Sequence, residues 1–240
     1  MRTLLVFLFL ELLRGISKLF WRLELSWVDG TEPPQAFSGI RLVALLNHTS
    51  LFEWLYLAAV PHRFIWKVAR HGVVPAAEKT LRRPIVGRFF RLIARQVISI
   101  TRERDETWKT VLESVDPQSI VVILPEGRMK RRNGLDANGQ PMTVRGGIAD
   151  LLEIIPNGWM LLAYSGGLHH VQAPGERWPR LFQTICIALE KIDLAEYRAA
   201  RRAEGKGSDA GFKRAVVADL EARRDRYCPV IPETGAEAKD

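Results

Sequence analysis

Cysteine is scarce in this chain of 240 residues, which has only Cys186 and Cys228. The two lack the spacing of metal ligands, which argues against a zinc site and favours a reducing compartment. Acidic residues are also outnumbered, with 27 Asp and Glu against 35 Lys and Arg and a net charge of +8. This imbalance favours anionic partners such as phospholipid headgroups, phosphorylated substrates or nucleic acid.

The N-terminus lacks an apolar run long enough to cross a bilayer. Leu4 to Leu10 is unbroken apolar sequence, but Glu11 follows it, and a spanning helix needs about 20 predominantly apolar residues. No small-residue cleavage site follows either, so a secretory signal peptide describes this segment poorly.

The same segment has the period of an amphipathic helix. A polar stripe comprises Glu11, Arg14, Lys18 and Arg22, and the opposite side carries Leu12, Ile16, Leu19, Phe20 and Leu23. Such a helix suits a membrane interface, and packing on the protein's own core is the alternative. We predict a membrane-interface helical segment over residues 1–29, closed by the turn signals Asp29-Gly30 and Pro33-Pro34.

From Ile40 onward, short apolar runs alternate with helical patterns. The candidate strands are 40–46, 63–68, 96–101, 119–124, 159–164 and 183–189. The candidate helices are 50–60, 84–95, 105–115, 145–155 and 211–226. This alternation predicts one α/β domain over residues 30–228, with a mixed, largely parallel sheet flanked by helices. Residues 229–240 are predicted to be a disordered tail.

A histidine follows the first of these strands, in Asn47-His48-Thr49-Ser50-Leu51-Phe52-Glu53. A histidine with a nearby carboxylate can act as a general base, because the carboxylate fixes the imidazole tautomer and stabilises the imidazolium that forms. The alternative is a capping box, in which Ser50 and Glu53 satisfy the first backbone amides of a helix and need no catalysis.

Two further strands end in polar residues. Strand 96–101 runs into Arg102, whose planar guanidinium suits phosphate, although a surface ion pair with Glu103 or Asp105 is the alternative. Strand 119–124 runs into Pro125-Glu126-Gly127, where the alternative is an ordinary turn. Open α/β sheets bind ligands at the carboxyl ends of their strands, so these ends are candidate site positions.

Together the three strand ends resemble the motifs of the glycerolipid acyltransferase family, which contains the 1-acylglycerol-3-phosphate acyltransferases. Asn47, His48 and Glu53 match its Asn-His-x4-Asp motif with Glu in place of Asp, and Arg102 ends its second motif. The third motif, Phe-Pro-Glu-Gly-Thr-Arg, is matched by Pro125-Glu126-Gly127, with Arg128-Met129 standing where Thr-Arg is expected.

Weaker correspondences extend the resemblance over residues 40–195. Pro84-Ile85-Val86-Gly87 matches a Pro-x-x-Gly of the family, and Lys67 is a plausible counterpart of a lysine on the preceding strand. Arg145-Gly146-Gly147 stands at a Lys-Gly helix start. The proline of a fourth motif is absent, and Ala163 takes its place.

The resemblance implies an O-acyltransferase. Its acyl donor would be a thioester, acyl-CoA or acyl carrier protein, and its acceptor the hydroxyl of a lysophospholipid such as 1-acylglycerol-3-phosphate. His48 would act as the general base, oriented by Glu53. No metal or other cofactor is expected, because a thioester is already activated.

The resemblance also assigns binding roles and a location. Arg102, with Lys67 or Arg128, would hold the acceptor phosphate, and Glu126 and Gly127 would position its glycerol portion. A membrane lipid surface would be the partner, with the protein monotopic or peripheral on the cytoplasmic face of the membrane.

Three alternatives stay open from the sequence. The first is the same chemistry on another acceptor, an amino-lipid or a saccharide lipid. The second is an inactive lipid-surface binding protein, which the altered third and fourth motifs would suit. The third, a nucleic-acid-binding domain, lacks a groove-reading helix signature, so no nucleic-acid partner is expected. The arginines of 198–202 and of helix 211–226 are predicted to be solvated faces.

Overall fold

The computed structural model describes residues 1–101 and 105–231, and its strands form a single seven-stranded sheet. The strands are β1 (Arg22–Trp27), β2 (Ile40–Leu46), β3 (Gly72–Ala77), β4 (Gln96–Ile100), β5 (Ile120–Ile123), β6 (Trp159–Gly166) and β7 (Thr184–Asp193). The helices are α1 (Arg2–Phe20), α2 (His62–His71), α3 (Glu78–Leu81), α4 (Pro84–Phe90), α5 (Glu106–Glu113), α6 (Gly147–Ile154), α7 (Leu168–Val171), α8 (Leu194–Glu204) and α9 (Asp209–Tyr227), with a 3₁₀ helix at Glu53–Ala59.

The sheet has the strand order β1-β7-β6-β2-β5-β3-β4. Every neighbouring pair is parallel except β6 and β7, which are antiparallel. The predicted mixed, largely parallel α/β fold is therefore confirmed. Because β2 to β6 are parallel, β2, β5 and β6 end at the same edge, and the segments that follow them meet there.

Both faces of the sheet are covered, which explains the continuous apolar run of β2. Leu42, Ala44 and Leu46 contribute to a core shared with α5, α6, α8 and α9. Ile40 and Val43 contribute to a second core on the other face, shared with the 3₁₀ helix and α2. The central strand is therefore apolar at every position except Arg41.

Helix α1 packs on α2 and leaves a leucine stripe in solvent. Its buried side chains are Val6, Leu10, Leu13 and Ser17, and its exposed large side chains include Leu4, Leu5, Leu8, Leu12 and Leu19. Two members of the predicted polar stripe are engaged: Glu11 contacts both Arg14 and His62, the latter at 2.8 Å. Among the described residues, no helix is both long and apolar enough to cross a membrane.

The predicted strand at 63–68 is wrong, because these residues lie in α2. Phe64, Ile65 and Ala69 are the buried side chains, a helical spacing, and Trp66 between them points to solvent. The strand of this region is β3, at 72–77. The sequence pattern did not predict this strand, because Pro75 lies within it and proline disfavours a strand interior. The structure accommodates Pro75 because β5 pairs only with Gly72 and Val73, so Pro75 lies beyond that pairing.

The predicted helix over 1–29 is wrong for its last third. Residues 22–27 form β1, an edge strand parallel to β7 in which Arg22 is opposite Thr184. The alternation Arg-Leu-Glu-Leu-Ser-Trp is typical of a strand. Of the predicted tail, residues 232–240 lie outside the described residues, as does Arg102.

The Pro-x-x-Gly segment has a steric explanation that a pair of variants can test. A methyl group at Gly87 would lie 2.1 Å from the carbonyl oxygen of Leu81, whereas nothing lies within 4 Å of one at Gly15 in α1. We expect Gly87→Ala to lower the free energy of unfolding by about 1–3 kcal/mol through overpacking. Gly15→Ala should raise it by about 0.5–1 kcal/mol, because alanine is the better helix former.

Urea unfolding of the two variants and the wild type measures these changes. A Gly87→Ala variant as stable as the wild type would contradict the close approach of Leu81.

Candidate active site

His48 and Glu53 form a close pair at the carboxyl end of β2. Asn47, the residue after the strand, has φ +66°, a left-handed conformation that asparagine tolerates better than most residues. This turn brings the Nδ1 atom of His48 to 2.5 Å from the Oε1 atom of Glu53, with each side chain only 13% exposed. The structure therefore brings together the two residues that the sequence proposed as a dyad.

The capping-box alternative is not what the structure forms. The helix at this point is the 3₁₀ helix, which begins at Glu53 after Phe52, and its N-terminus has no side-chain cap. The hydroxyl of Ser50 is buried and has no hydrogen-bond partner among the described residues. The Glu53 carboxylate meets the imidazole instead of reaching back to the backbone.

The carboxylates around His48 favour the protonated form of its ring. Burial lowers the pKa of His48, but the charge and hydrogen bond of Glu53, together with the charge of Glu126, raise it more, so the pKa lies above its ordinary value of 6.5. With Nδ1 directed at Glu53, Nε2 is the nitrogen left to take a proton. A neutral imidazole held in this way has the arrangement of a general base.

The Glu126 side chain is buried next to the backbone of His48, and its carboxylate accepts hydrogen bonds from three protein groups. Its side chain is 1% exposed. The backbone N–H groups of Asn47 and His48 donate to it at 3.2 and 2.7 Å, and the Arg224 guanidinium donates at 3.2 Å. Glu126 therefore contacts the backbone that carries His48, and it also lines a smaller cavity with Arg128 and Arg145. Its contact with the acceptor's glycerol portion stays a prediction.

The end of β6 supports the same turn from the other side. Asn47 donates from Nδ2 to the carbonyl oxygen of Ser165 at 2.8 Å, and the Ser165 hydroxyl donates to the carbonyl oxygen of Asn47 at 2.8 Å. The Tyr56 hydroxyl lies 3.1 Å from both the carbonyl oxygen and the amide nitrogen of Gly166. No motif in the sequence marked Tyr56 or Ser165 as part of the site.

Gly127 and Arg128 follow Glu126 at the cavity wall. Gly127 has φ +65°, the left-handed region that favours glycine. The Arg128 guanidinium pairs with the buried carboxylate of Asp136 in the following loop. Hydrogen bonds from the Gln140 backbone and from Arg128 hold the pKa of Asp136 at about 2, well below its ordinary value. Arg128 is therefore largely committed to a loop contact.

Lys67 does not reach this site. It lies exposed on α2, whereas the prediction placed it on a strand, and it does not line the cavity beside His48. Arg102 falls outside the described residues, and β4 ends at Ile100, two residues before it.

A cavity of ≈ 630 Å³ opens beside the dyad, within the usual size range of small-molecule sites. Its wall is mostly apolar, and strands β2, β6 and β7 contribute Val43, Leu45, Leu161, Ala163, Ile187 and Leu189. Within the part of the chain that the structure describes, the ionisable side chains on this wall that are charged or chargeable near neutral pH are those of His48, Glu53, Arg128 and Arg145.

Among the described residues, Arg145 is a cation of this wall that is not engaged in an ion pair. It precedes α6, and its backbone N–H donates to the carbonyl oxygen of Pro125 at 2.8 Å, which fixes it beside the third motif. Its exposed side chain forms no hydrogen bond or ion pair with any described residue. In the sequence, its position before Gly146-Gly147 marked a helix start but did not indicate that Arg145 lies at the cavity wall.

The fold and the dyad define a class of α/β proteins in which a histidine–carboxylate pair at the sheet edge faces an apolar cavity. The chain belongs to the acyltransferase family, whose model, described as Acyltransferase, matches residues 28–157, more than half of the chain. The predictions of this family and of an acyltransferase enzyme are therefore confirmed.

The fold also resembles a solved acyltransferase structure. The crystal structure of the 1-acyl-sn-glycerophosphate (LPA) acyltransferase PlsC from Thermotoga maritima matches with a TM-score of 0.52 and 16% sequence identity, covering 91% of this chain and 79% of that chain. No curated protein matches the chain in sequence.

Proposed function

We propose that this acyltransferase moves a fatty acyl group from an acyl thioester to the hydroxyl of a lysophospholipid such as 1-acylglycerol-3-phosphate. The observation that carries the proposal is the 2.5 Å contact of His48 with Glu53 beside a largely apolar cavity. The cavity offers room for a hydrocarbon chain next to a base. Acyl-CoA or acyl carrier protein is the proposed donor.

In the proposed reaction, Nε2 of His48 takes the proton of the acceptor hydroxyl as its oxygen attacks the thioester carbonyl carbon. The tetrahedral intermediate collapses with cleavage of the carbon–sulfur bond, and the imidazolium returns the proton to the departing sulfur. Glu53 holds Nδ1–H and stabilises the imidazolium between the two steps.

Substitution of the dyad tests this reaction. We expect His48→Ala to lower kcat for acyl transfer by at least about 1,000-fold, and Glu53→Gln by about 100-fold or more, because each change disrupts the base. Glu53→Gln should also move the acidic limb of the pH profile to lower pH, since it removes the charge that raises the His48 pKa.

The assay follows a labelled acyl group from acyl-CoA or acyl carrier protein into 1-acylglycerol-3-phosphate, an amino-lipid and a saccharide lipid in parallel. His62→Ala is the matched control, because His62 is an exposed histidine outside the cavity. Undiminished turnover by folded His48→Ala would refute the general-base role. Activity on another acceptor class would retain the chemistry and replace the acceptor.

The acceptor phosphate is proposed to bind at the cationic part of the cavity wall. Arg145 supports this most directly, because its guanidinium is not paired with any described carboxylate and a guanidinium donates two parallel hydrogen bonds to phosphate. Arg128 is adjacent but paired with Asp136, and Arg102 remains a proposed contributor.

Loss of this cation should weaken binding more than turnover. We expect Arg145→Ala to lower kcat/KM for 1-acylglycerol-3-phosphate by about 10- to 100-fold, the value of one charge-assisted hydrogen-bond pair, chiefly through KM. An uncharged monoacylglycerol should show a much smaller change. Arg131→Ala is the control, since Arg131 carries the same charge in the neighbouring loop but does not line the cavity; equal losses for both acceptors would contradict phosphate binding.

Membrane attachment through α1 is the remaining part of the proposal, at the cytoplasmic face and in a monotopic or peripheral manner. Its support is the leucine stripe, whose members Leu4, Leu5, Leu8, Leu12 and Leu19 are each more than half exposed. The net charge of +8 favours an anionic lipid surface.

Two charges in the leucine stripe should release the protein from lipid. We expect Leu8→Asp with Leu12→Asp to weaken binding to anionic phospholipid vesicles by about tenfold or more, because each buried leucine contributes about 1.5–3 kcal/mol. Co-sedimentation measures the bound fraction. Val230→Asp, at another exposed apolar side chain, is the control, and equal binding by all three proteins would exclude α1 as the anchor.

A further inference from the structure

The cation that balances Glu126 comes from the far end of the chain. Among the described residues, Arg224 of α9 is the one that forms an ion pair with the Glu126 carboxylate, at 3.2 Å. Arg128, only two residues from Glu126 in sequence, instead pairs with Asp136. Arg224 was predicted to face solvent, yet its side chain is only 13% exposed.

Helix α9 contacts this region at more than one point. Arg224 also donates to the carbonyl oxygen of Met142 at 3.0 Å, and Glu221, one turn earlier, accepts the backbone N–H of Val144 at 2.8 Å. The same segment is joined to the third motif, because the N–H of Arg145 donates to Pro125. Arg224 is therefore held by protein contacts on the side of Glu126 that faces α9, and it does not line the cavity beside His48.

We propose that Arg224 is a positioning residue for acyl transfer, acting through Glu126 on the backbone turn that carries His48. The inference rests on the proposed function for its kinetic consequence. Arg224 lies beyond residues 28–157, the part that matches the acyltransferase family, so in this chain the C-terminal helix completes the dyad's support.

The physical reason is the cost of a buried carboxylate without a cation. Removal of one partner of a buried ion pair leaves an uncompensated charge, which the surroundings relieve by moving or by admitting water. Here the groups that would move are the amides of Asn47 and His48, and Asn47 already has a left-handed backbone. A small displacement of this turn separates the imidazole from Glu53 or from the acceptor hydroxyl.

The neighbouring ionisable groups do not replace Arg224. Burial, followed by the charge of Glu126, raises the pKa of the Cys228 thiol to about 12, so Cys228 stays neutral. Lys130 donates its backbone N–H to the carbonyl oxygen of His48 at 2.7 Å, and its side chain forms no ion pair with Glu126. Asp225 accepts from the Nε atom of Arg224 at 2.9 Å and lies at the surface.

A double-mutant cycle tests whether Arg224 acts through Glu126. We expect Arg224→Met to lower kcat by about 100-fold with little change in either KM, the effect of a misplaced catalytic group. In a Glu126→Gln background the same change should alter kcat by no more than about twofold, because the shared charge is gone. Arg224→Lys, which keeps the charge, should recover most of kcat.

Arg214→Met is the matched control, since it removes an arginine from the exposed side of the same helix. Loss of the Met142 contact alone would lower kcat equally in both backgrounds, and that outcome would overturn the proposal. If Arg224→Met does not fold, the cycle is run with Arg224→Lys, whose partial loss must likewise disappear in the Glu126→Gln background.

A second measurement needs no enzymatic activity. The NMR titration of the His48 ring should give a lower pKa in Arg224→Met than in the wild type, because displacement of the turn separates the imidazole from Glu53, whose charge and hydrogen bond raise that pKa most. A higher pKa would indicate an unbalanced Glu126 charge without displacement and would overturn the positioning role. Glu126→Gln with Arg224→Met should match Glu126→Gln alone. Failure of the proposed acyl transfer would leave this result intact, whereas a His48 titration indifferent to Arg224 would refute the positioning role itself.

Discussion

Glu126 carries a carboxylate that is almost completely removed from water, and the groups that satisfy it hold the turn that carries His48. Two are backbone amides at the end of β2, and the third is the guanidinium of Arg224 in α9. A buried charge is tolerated only when it is paired and hydrogen-bonded. This requirement joins the first motif, the third motif and the C-terminal helix into one unit, and it fixes the backbone of His48.

The parallel sheet makes that unit possible. Because β2, β5 and β6 end at one edge, the turns after them can share hydrogen bonds: Glu126 meets Asn47 and His48, and Asn47 exchanges bonds with Ser165. One side of the resulting centre is protein and polar, and the other is an apolar cavity with a cationic part. This arrangement supports the proposed transfer of a fatty acyl group to an anionic acceptor.

Much of the sheet could be predicted from the sequence, because buried parallel strands appear as apolar runs and five of the seven coincide with candidate strands. The errors have local causes. The run 64–66 is apolar, but only two of its three side chains are buried, as on a helix. Pro75 made β3 look unlike a strand. The short polar–apolar alternation of β1 was assigned to the helix that precedes it. Glu53 belongs both to the capping-box pattern, with Ser50, and to the proposed dyad, with His48, so the sequence left both interpretations open.

The sequence by itself determined the α/β class and the acyltransferase motifs, because these depend on patterns within a few residues or at strand ends. It proposed the pairing of His48 with Glu53, which the structure shows. Only the tertiary structure decided which cations matter. It placed Lys67 on an outer helix, paired Arg128 with Asp136 and brought Arg224 to Glu126. It also left Arg145 at the cavity with no ion pair to any described residue. The positive charge of an arginine does not show whether it is buried or which residue it pairs with. These properties depend on segments distant in sequence, as for Arg224 and Glu126, which are 98 residues apart.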